Sequence, residues 1–300
     1  MADWLTSLPG TETGAWLAVC LALNSAFFHA LFGAIQKGRH DPWLSRGAVD
    51  AWLVVLWAPV ALLLVPWPTP QLWGILAGAL VIHFLYKYTL ASAYERAAFT
   101  VVYPVVRGTS PVIVVGAASL VFGESYSALQ WLGIACLSGG ILSLSVFNIR
   151  QERLAPHAIK AAIAWALLCG VTVAAYTTWD AWGIRLADHP FTFLAWFFLV
   201  TAVDFPLLAA RRYRRMQAPP ALAPLALRGF LGALVAVISF GGVMLATYLD
   251  KVGEAAVLRE TSPVFAALIG WLILKETVGP RRMMLMFLIA LGAVIVETGG

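Results

Sequence analysis
Ten apolar runs follow one another along these 300 residues, at about 15–36, 50–66, 71–93, 97–122, 127–147, 160–184, 191–210, 225–248, 253–274 and 282–298. Each is close to the roughly 20 residues that cross a bilayer as a helix. A hydrocarbon core offers no water to a bare backbone group, so only helices satisfy every such group within one span. Charge agrees with this reading. Only 12% of residues are charged, against roughly a quarter in soluble domains, and the deficit runs the whole length, which excludes a soluble domain on one anchor. A membrane barrel is excluded too, because runs such as Ala58 to Val65 do not alternate apolar and polar residues. Turn residues fall between runs, as at Pro66-Trp67-Pro68-Thr69-Pro70 and Pro219-Pro220. The predicted fold is an all-α integral membrane protein of ten transmembrane helices.

The basic residues orient it. Of 20 Lys and Arg, fourteen fall in loops after odd-numbered helices: Lys37, Arg39, Arg46, Arg96, Arg150, Arg153, Lys160, Arg211, Arg212, Arg214, Arg215, Lys275, Arg281 and Arg282. Only Arg185 and Lys251 fall on the other side, while Lys87, Arg107, Arg228 and Arg259 lie within spans. Basic loops stay in the cytoplasm, so both termini are predicted outside it. Arg211-Arg212-Tyr213-Arg214-Arg215 then reads as an orientation signal touching anionic lipid head groups, and no nucleic-acid partner is expected. The N-terminus, Met1-Ala2-Asp3-Trp4, lacks a basic n-region, so no removable signal peptide is predicted. Cys20, Cys136 and Cys169 lie in apolar runs without CxxC spacing and read as packing residues.

The chain also repeats itself. Val105-Val106-Arg107-Gly108-Thr109-Ser110-Pro111-Val112 matches Val257-Leu258-Arg259-Glu260-Thr261-Ser262-Pro263-Val264, and residues 105–124 share eight identities in twenty with 257–276. Chance in so apolar a composition would give about 2. A weaker match aligns Lys37 to Pro42 with Arg185 to Pro190. The unit spans five helices. Five is odd, so the second copy crosses upside down, giving two inverted five-helix repeats about a pseudo-twofold axis in the membrane plane. The predicted division is 15–147, a cytoplasmic linker at 148–159, and 160–298. Such an architecture suits alternating access.

These residues carry a family resemblance. Val102-Tyr103-Pro104-Val105-Val106-Arg107-Gly108-Thr109-Ser110-Pro111 in the fourth run, Leu258 to Pro263 in the ninth, and Glu124 or Glu276 ending the helical stretch that follows resemble the drug/metabolite transporter superfamily, in its ten-helix form with two EamA domains. His29-Ala30 and His83 fit one branch, although Phe32-Gly33 stand where that branch has Trp-Asn. The resemblance implies a bacterial inner (plasma) membrane protein that moves a small organic solute, often outward. Many members have cytoplasmic termini, whereas the charge count here predicts the reverse.

An ionisable side chain at membrane depth costs at least ~2.5 kcal/mol and needs a partner or a watery cavity. The in-span set is His29, His83, Lys87, Arg107, Asp180, Asp204, Arg259 and Glu260. The pseudo-twofold brings Arg107 and Arg259 near the midplane and near each other, where the two guanidiniums repel unless an anion sits between them. A guanidinium fork binds both oxygens of a carboxylate, which favours a solute with an acidic group, such as an amino acid or organic acid. The competing reading pairs Lys87, Arg107 and Arg259 structurally with Asp180, Asp204 and Glu260. Glu260 replaces Gly108 of the first copy. It satisfies a neighbouring arginine, or else takes a proton or a cationic solute. Tyr103, Thr109, Thr261 and Trp179 complete the candidate binding set with His29, His83 and Lys87. Pro104, Pro111 and Pro263 flank the arginines and free backbone carbonyls, which Thr109, Ser110, Thr261 and Ser262 can satisfy.

The expected function is a secondary transporter, with export as the direction. Its partners are a small-molecule substrate, membrane lipids and, as the coupling option, protons, in a monomer or homodimer. No cofactor or metal is expected, because no GxxxxGK[ST], HExxH or paired Cys occurs. An exporter of organic cations using in-membrane carboxylates is the alternative. A lipid-modifying enzyme is a third class, and it would need a larger head-group-facing loop than these.

Overall fold
The computed structural model describes residues 2–36, 41–97, 99–150, 156–272 and 279–300. Lys37, Arg39, Arg153, Lys275 and Glu276 lie outside the described residues. All regular structure among the described residues is helical: α1 (Ala2–Thr6), α2 (Glu12–Gln36), α3 (Pro42–Leu63), α4 (Pro70–Tyr94), α5 (Phe99–Phe122), α6 (Ala128–Ile149), α7 (Pro156–Leu186), α8 (Pro190–Val200), α9 (Asp204–Arg215), α10 (Leu222–Leu249), α11 (Val252–Arg259), α12 (Ser262–Leu272) and α13 (Pro280–Thr298). Pro42, Pro70, Pro156, Pro190 and Pro280 each open a helix, where the missing N–H costs nothing and the fixed φ suits the first turn. Side chains complete several of these starts. The Asp41 carboxylate accepts from Trp43 N and Leu44 N, both at 3.0 Å, and Ser127 forms a capping box with Gln130. Both devices satisfy donors that a helix leaves bare.

Eight helical segments among the described residues are long and apolar enough to span a membrane, from Glu12–Gly33 to Leu222–Leu249. They coincide with the first eight predicted runs. The last two runs correspond to α11 with α12, and to α13, which are not among the eight. Three boundaries differ from the sequence reading. α3 starts at Pro42 instead of 50, because Asp41 caps it and Arg46 pairs with Asp50 one turn on, at 2.8 Å; Arg46 is therefore helical, not in a loop. The run at 191–210 bends at Thr201–Val203, between α8 and α9. The run at 253–274 is broken at Glu260–Thr261.

The helices pack as a bundle. α2 lies along α10, α4 along α7, α5 along both α6 and α7, α6 along α13, and α3 along α8, α9 and α10, while α11 and α12 lie against α2. One buried cluster joins Leu53 of α3, Leu76 of α4, Phe193 and Phe197 of α8 and Met244 of α10. A second joins Ala22 of α2, Leu137 and Ile141 of α6, Leu258 of α11 and Ile289 of α13. α6 and α13 approach closely at two glycines. A Cβ on Gly133 would sit 2.7 Å from the Gly292 carbonyl oxygen, and one on Gly292 2.6 Å from that of Gly133. Gly133→Val is expected to destabilise the protein by about 1–3 kcal/mol by overpacking. Gly139→Val, where a Cβ meets nothing within 4 Å, is expected to be near neutral in the same thermal unfolding assay.

Candidate functional site
The repeated arginine motif places Arg107 on α5 and Arg259 at the end of α11. Both are buried, at 3% and 2% exposure. The structure gives them different surroundings. Arg107 Nη1 donates to Glu260 Oε1 at 2.8 Å, and its Nη2 bonds to His29 Nε2. Arginine has only donors, so the ring nitrogen facing it accepts. His29 stacks on Tyr103 with ring centroids 5.9 Å apart, and the Tyr103 hydroxyl is 2.7 Å from Ser262 Oγ. α2, α5 and the α11–α12 break are thereby joined through one polar knot. Glu260 sits at that break with φ −75° and ψ 2°, which turns its side chain towards the first half. The equivalent Gly108 leaves no room for such a residue, since a Cβ there would lie 2.7 Å from the Leu142 side chain. Of the two readings of Glu260, partner to an arginine or free ligand, the geometry takes the first, with Arg107 as the arginine and not its neighbour Arg259.

Arg259 is held more loosely. Its Nη1 is 3.5 Å from the Tyr176 hydroxyl, and its guanidinium lies over the Phe240 ring, 4.5 Å from the centroid. Among the described residues its Nε and Nη2 have no hydrogen-bond partner. Of the buried cations Lys87, Arg107 and Arg259, it alone lacks a carboxylate within ion-pair distance among the described residues. Ser110, Val173, Thr177, Arg259 and Glu260 help to line a small cavity of about 10 Å³, which is room for about one water. Ser110 Oγ and Glu260 Oε2 are likewise unpartnered among the described residues. The expected guanidinium pair facing a shared anion is thus replaced by one arginine bound to Glu260 and one with a bare edge beside a cavity.

His83 of α4 and Asp180 of α7 form a second buried pair, Nε2 to Oδ2 at 2.7 Å. The His83 ring lies 4.7 Å from that of Tyr176, so Tyr176 touches both this pair and Arg259. Lys87, expected among the solute ligands, is committed elsewhere. Its ammonium reaches Asp50 of α3 at 2.9 Å, the Thr201 carbonyl at 2.7 Å and Asp204, so all three of its donors are used in joining α3 and α4 to the bend between α8 and α9. Trp179 is likewise occupied: its Nε1 donates to the Ile75 carbonyl at 2.9 Å, and its indole fills the space over Gly78. Thr109 and Thr261 bond back to their own helices, at Val105 and Leu258 carbonyls, the backbone-satisfying role open to them beside proline. Phe240 and Asp50 were not singled out in sequence. Phe240 is one aromatic in an apolar helix and carries no signal, whereas Asp50 stood at a run boundary and was missed when α3 was started too late.

Each end of the bundle has its own cross-link. At one end Glu124 accepts from the backbone N–H of Val252 at 2.7 Å and of Gly253 at 3.1 Å, which caps α11 and places a carboxylate at its positive end. At the other end Arg212 of α9 binds Asp41 at 2.8 Å and Glu95 at 2.7 Å.

The central pair makes a specific prediction. Arg107→Gln is expected to destabilise by about 3–5 kcal/mol, because Glu260 is left as a buried charge without its partner. Adding Glu260→Gln is expected to restore most of that loss. Thermal unfolding of both single variants and the double variant reads this coupling. Additive losses would mean that the two residues do not act as a pair.

Comparison with known proteins agrees with this architecture. Residues 160–298 match the EamA-like transporter family. A solved crystal structure, described only as that of a protein, aligns with a TM-score of 0.70 and 19% identity, over 95% of this chain and 96% of that chain; at that identity the likeness speaks for the fold. No curated protein matches the chain in sequence. Residues 160–298 of this multi-pass helical membrane protein are thus similar to the EamA-like transporter family, which supports a place in the drug/metabolite transporter superfamily.

Proposed function
We propose that the chain is a secondary transporter that binds the acidic group of a small organic solute at Arg259 and exports it across the bacterial inner membrane by alternating access. The observation that carries this reading is the bare edge of Arg259. Nε and Nη2 lie along one edge of the planar guanidinium and direct N–H bonds the same way within its plane, which suits the two oxygens of one carboxylate. A buried guanidinium with unfilled donors is costly, and an anionic solute relieves that cost.

In this reading ten helices form two inverted repeats. Exchanging α2 with α7, α3 with α8–α9, α4 with α10, α5 with α11–α12 and α6 with α13 maps most of the main packing pairs of the bundle onto one another, the contacts of α7 with α8, α10 and α11 being exceptions. The buried pairs Arg107–Glu260, His83–Asp180 and Lys87–Asp204 all run from the first half to the second. So do the end contacts of Glu124 and Arg212. Movement of one half against the other must break one end contact while sparing the other, which is what alternating access requires. The cavity beside Arg259 holds about one water, so entry of a solute needs such a movement. Cation export through carboxylates is disfavoured, because Glu260 already binds Arg107 and Asp180 binds His83.

A thermal-shift screen in detergent tests the reading, since a ligand of the folded state raises apparent stability. Organic acids, amino acids, phosphonates and organic cations are compared on wild type and Arg259→Gln. At least one acidic solute is expected to raise the wild-type midpoint by several degrees and to leave the variant unmoved. Stabilisation by cations alone, equal in both proteins, would overturn it.

A further inference from the structure
A second concavity lies on the outer face of the bundle between α3, α9 and α10, apart from the cavity lined by Arg259 and Glu260. Its volume is about 630 Å³, and its walls are almost wholly apolar. Leu44, Ala48 and Val55 of α3 form one wall, and Leu225 of α10 forms another. Small residues line it where α3 meets α9: Gly47, Ala209 and Ala210, and a Cβ on Gly47 would overlap Ala209. The flanks are open, with Val55 at 59% and Leu222 at 64% exposure. From Leu44 to Val55 the groove follows α3 for eleven residue steps, about 16 Å at 1.5 Å per residue. That is about half of a ~30 Å hydrocarbon core, the depth of one leaflet.

One end of the groove is basic. Arg214 lines it, and Arg211, Arg214 and Arg215 are exposed on the last turns of α9. The same end holds the start of α3, because Arg212 of α9 binds Asp41 there at 2.8 Å. We propose that this groove is the seat of one anionic phospholipid, its acyl chain lying along Ala48 and Val55 and its phosphate on Arg214. An apolar slot one leaflet deep with guanidiniums at its mouth matches both parts of such a molecule, and each basic group near an anionic head group contributes about 1 kcal/mol. A second copy of this chain fits the face less well. A twofold axis along the membrane normal would set the two arginine clusters against each other at equal depth.

The test is native mass spectrometry of the purified full-length protein with added phosphatidylglycerol or phosphatidylcholine of identical acyl chains, together with thermal unfolding in the same lipids. Wild type is expected to retain one phosphatidylglycerol in preference to phosphatidylcholine and to gain several degrees in its presence. Arg214→Gln, on an exposed side chain, is expected to weaken phosphatidylglycerol retention about fivefold and leave phosphatidylcholine unchanged. Ala51→Trp, which fills the groove, is expected to lose both. Equal retention of the two lipids by wild type, or phosphatidylglycerol retention untouched in Arg214→Gln, would overturn the proposal. So would a protein dimer that excludes lipid and is abolished by Ala51→Trp.

Discussion

Lys87→Met is expected to cost about 3–5 kcal/mol of stability, as large a loss as Arg107→Gln, because it strands buried charge. The Lys87 and Asp50 side chains are fully buried, and Asp204 is 16% exposed. Methionine fills the same volume and supplies no donor. Asp50 then keeps only Arg46, at 2.8 Å, Asp204 loses its cation, and the Thr201 carbonyl at the end of α8 loses the N–H that reached it at 2.7 Å. That ammonium ties both sides of the bend between α8 and α9 to α4, so the variant is expected to loosen the seventh apolar segment in particular. Adding Asp50→Asn and Asp204→Asn removes the stranded charges and is expected to recover more than half of the loss. Unfolding in mixed micelles measures both effects. A loss below about 1 kcal/mol for Lys87→Met would mean that water or lipid head groups already solvate the cluster.

Arg259→Gln carries the second large effect, and it falls on binding instead of on folding. Truncating one partner of a desolvated charge pair costs about 2–5 kcal/mol, so the acidic solute is expected to bind between about thirtyfold and about five-thousandfold more weakly. Stability in the absence of solute is expected to change little or to rise, since the variant removes a buried cation that lacks a carboxylate partner among the described residues. Arg259→Lys keeps the charge but loses the two-pronged fork and is expected to fall between the two. This is the opposite of Arg107→Gln, where the fold itself is damaged. The contrast separates a binding arginine from a structural one although both arise from the same repeated motif.

The spans were legible in sequence because hydrocarbon thickness sets a length and apolar runs report it directly. The first eight predicted runs match helices to within a few residues, apart from the start of α3. Of the two helix breaks, the one at Glu260–Thr261 was signalled by Pro263, while the bend at Thr201–Val203 was not singled out. Thr201-Ala202-Val203 is apolar enough to read as continuous, but Pro206 leaves the Ala202 carbonyl without its helical N–H donor, and Lys87, 114 residues away from the Thr201 carbonyl it binds, ties the bend to α4. The site was half legible. Rarity of charge picked out Arg107, Arg259, Glu260, His83 and Asp180 correctly as buried in-span groups, since membrane depth makes every such residue costly. Their pairing was not legible, because Arg107 and Glu260 stand 153 residues apart and the motif presents the two arginines as equivalents. Substitution of Gly108 by Glu260 was the one signal of asymmetry, and its consequence depends on the Leu142 side chain beside Gly108. Lys87 and Trp179 show the limit of reading by residue type: both had the chemistry of a ligand, and both are used up by backbone carbonyls and carboxylates of their own bundle.

Solute flux in proteoliposomes tests the central claim most directly. Vesicles loaded with the acidic solute that stabilises the wild-type protein are diluted into solute-free buffer, and loss of intact solute is followed with time. The account predicts saturable release through wild type, release near that of empty vesicles through Arg259→Gln, and no chemical change in the solute. Release through Arg259→Gln at the wild-type rate would contradict the binding role of Arg259. Conversion of the solute without its transfer would contradict transport itself.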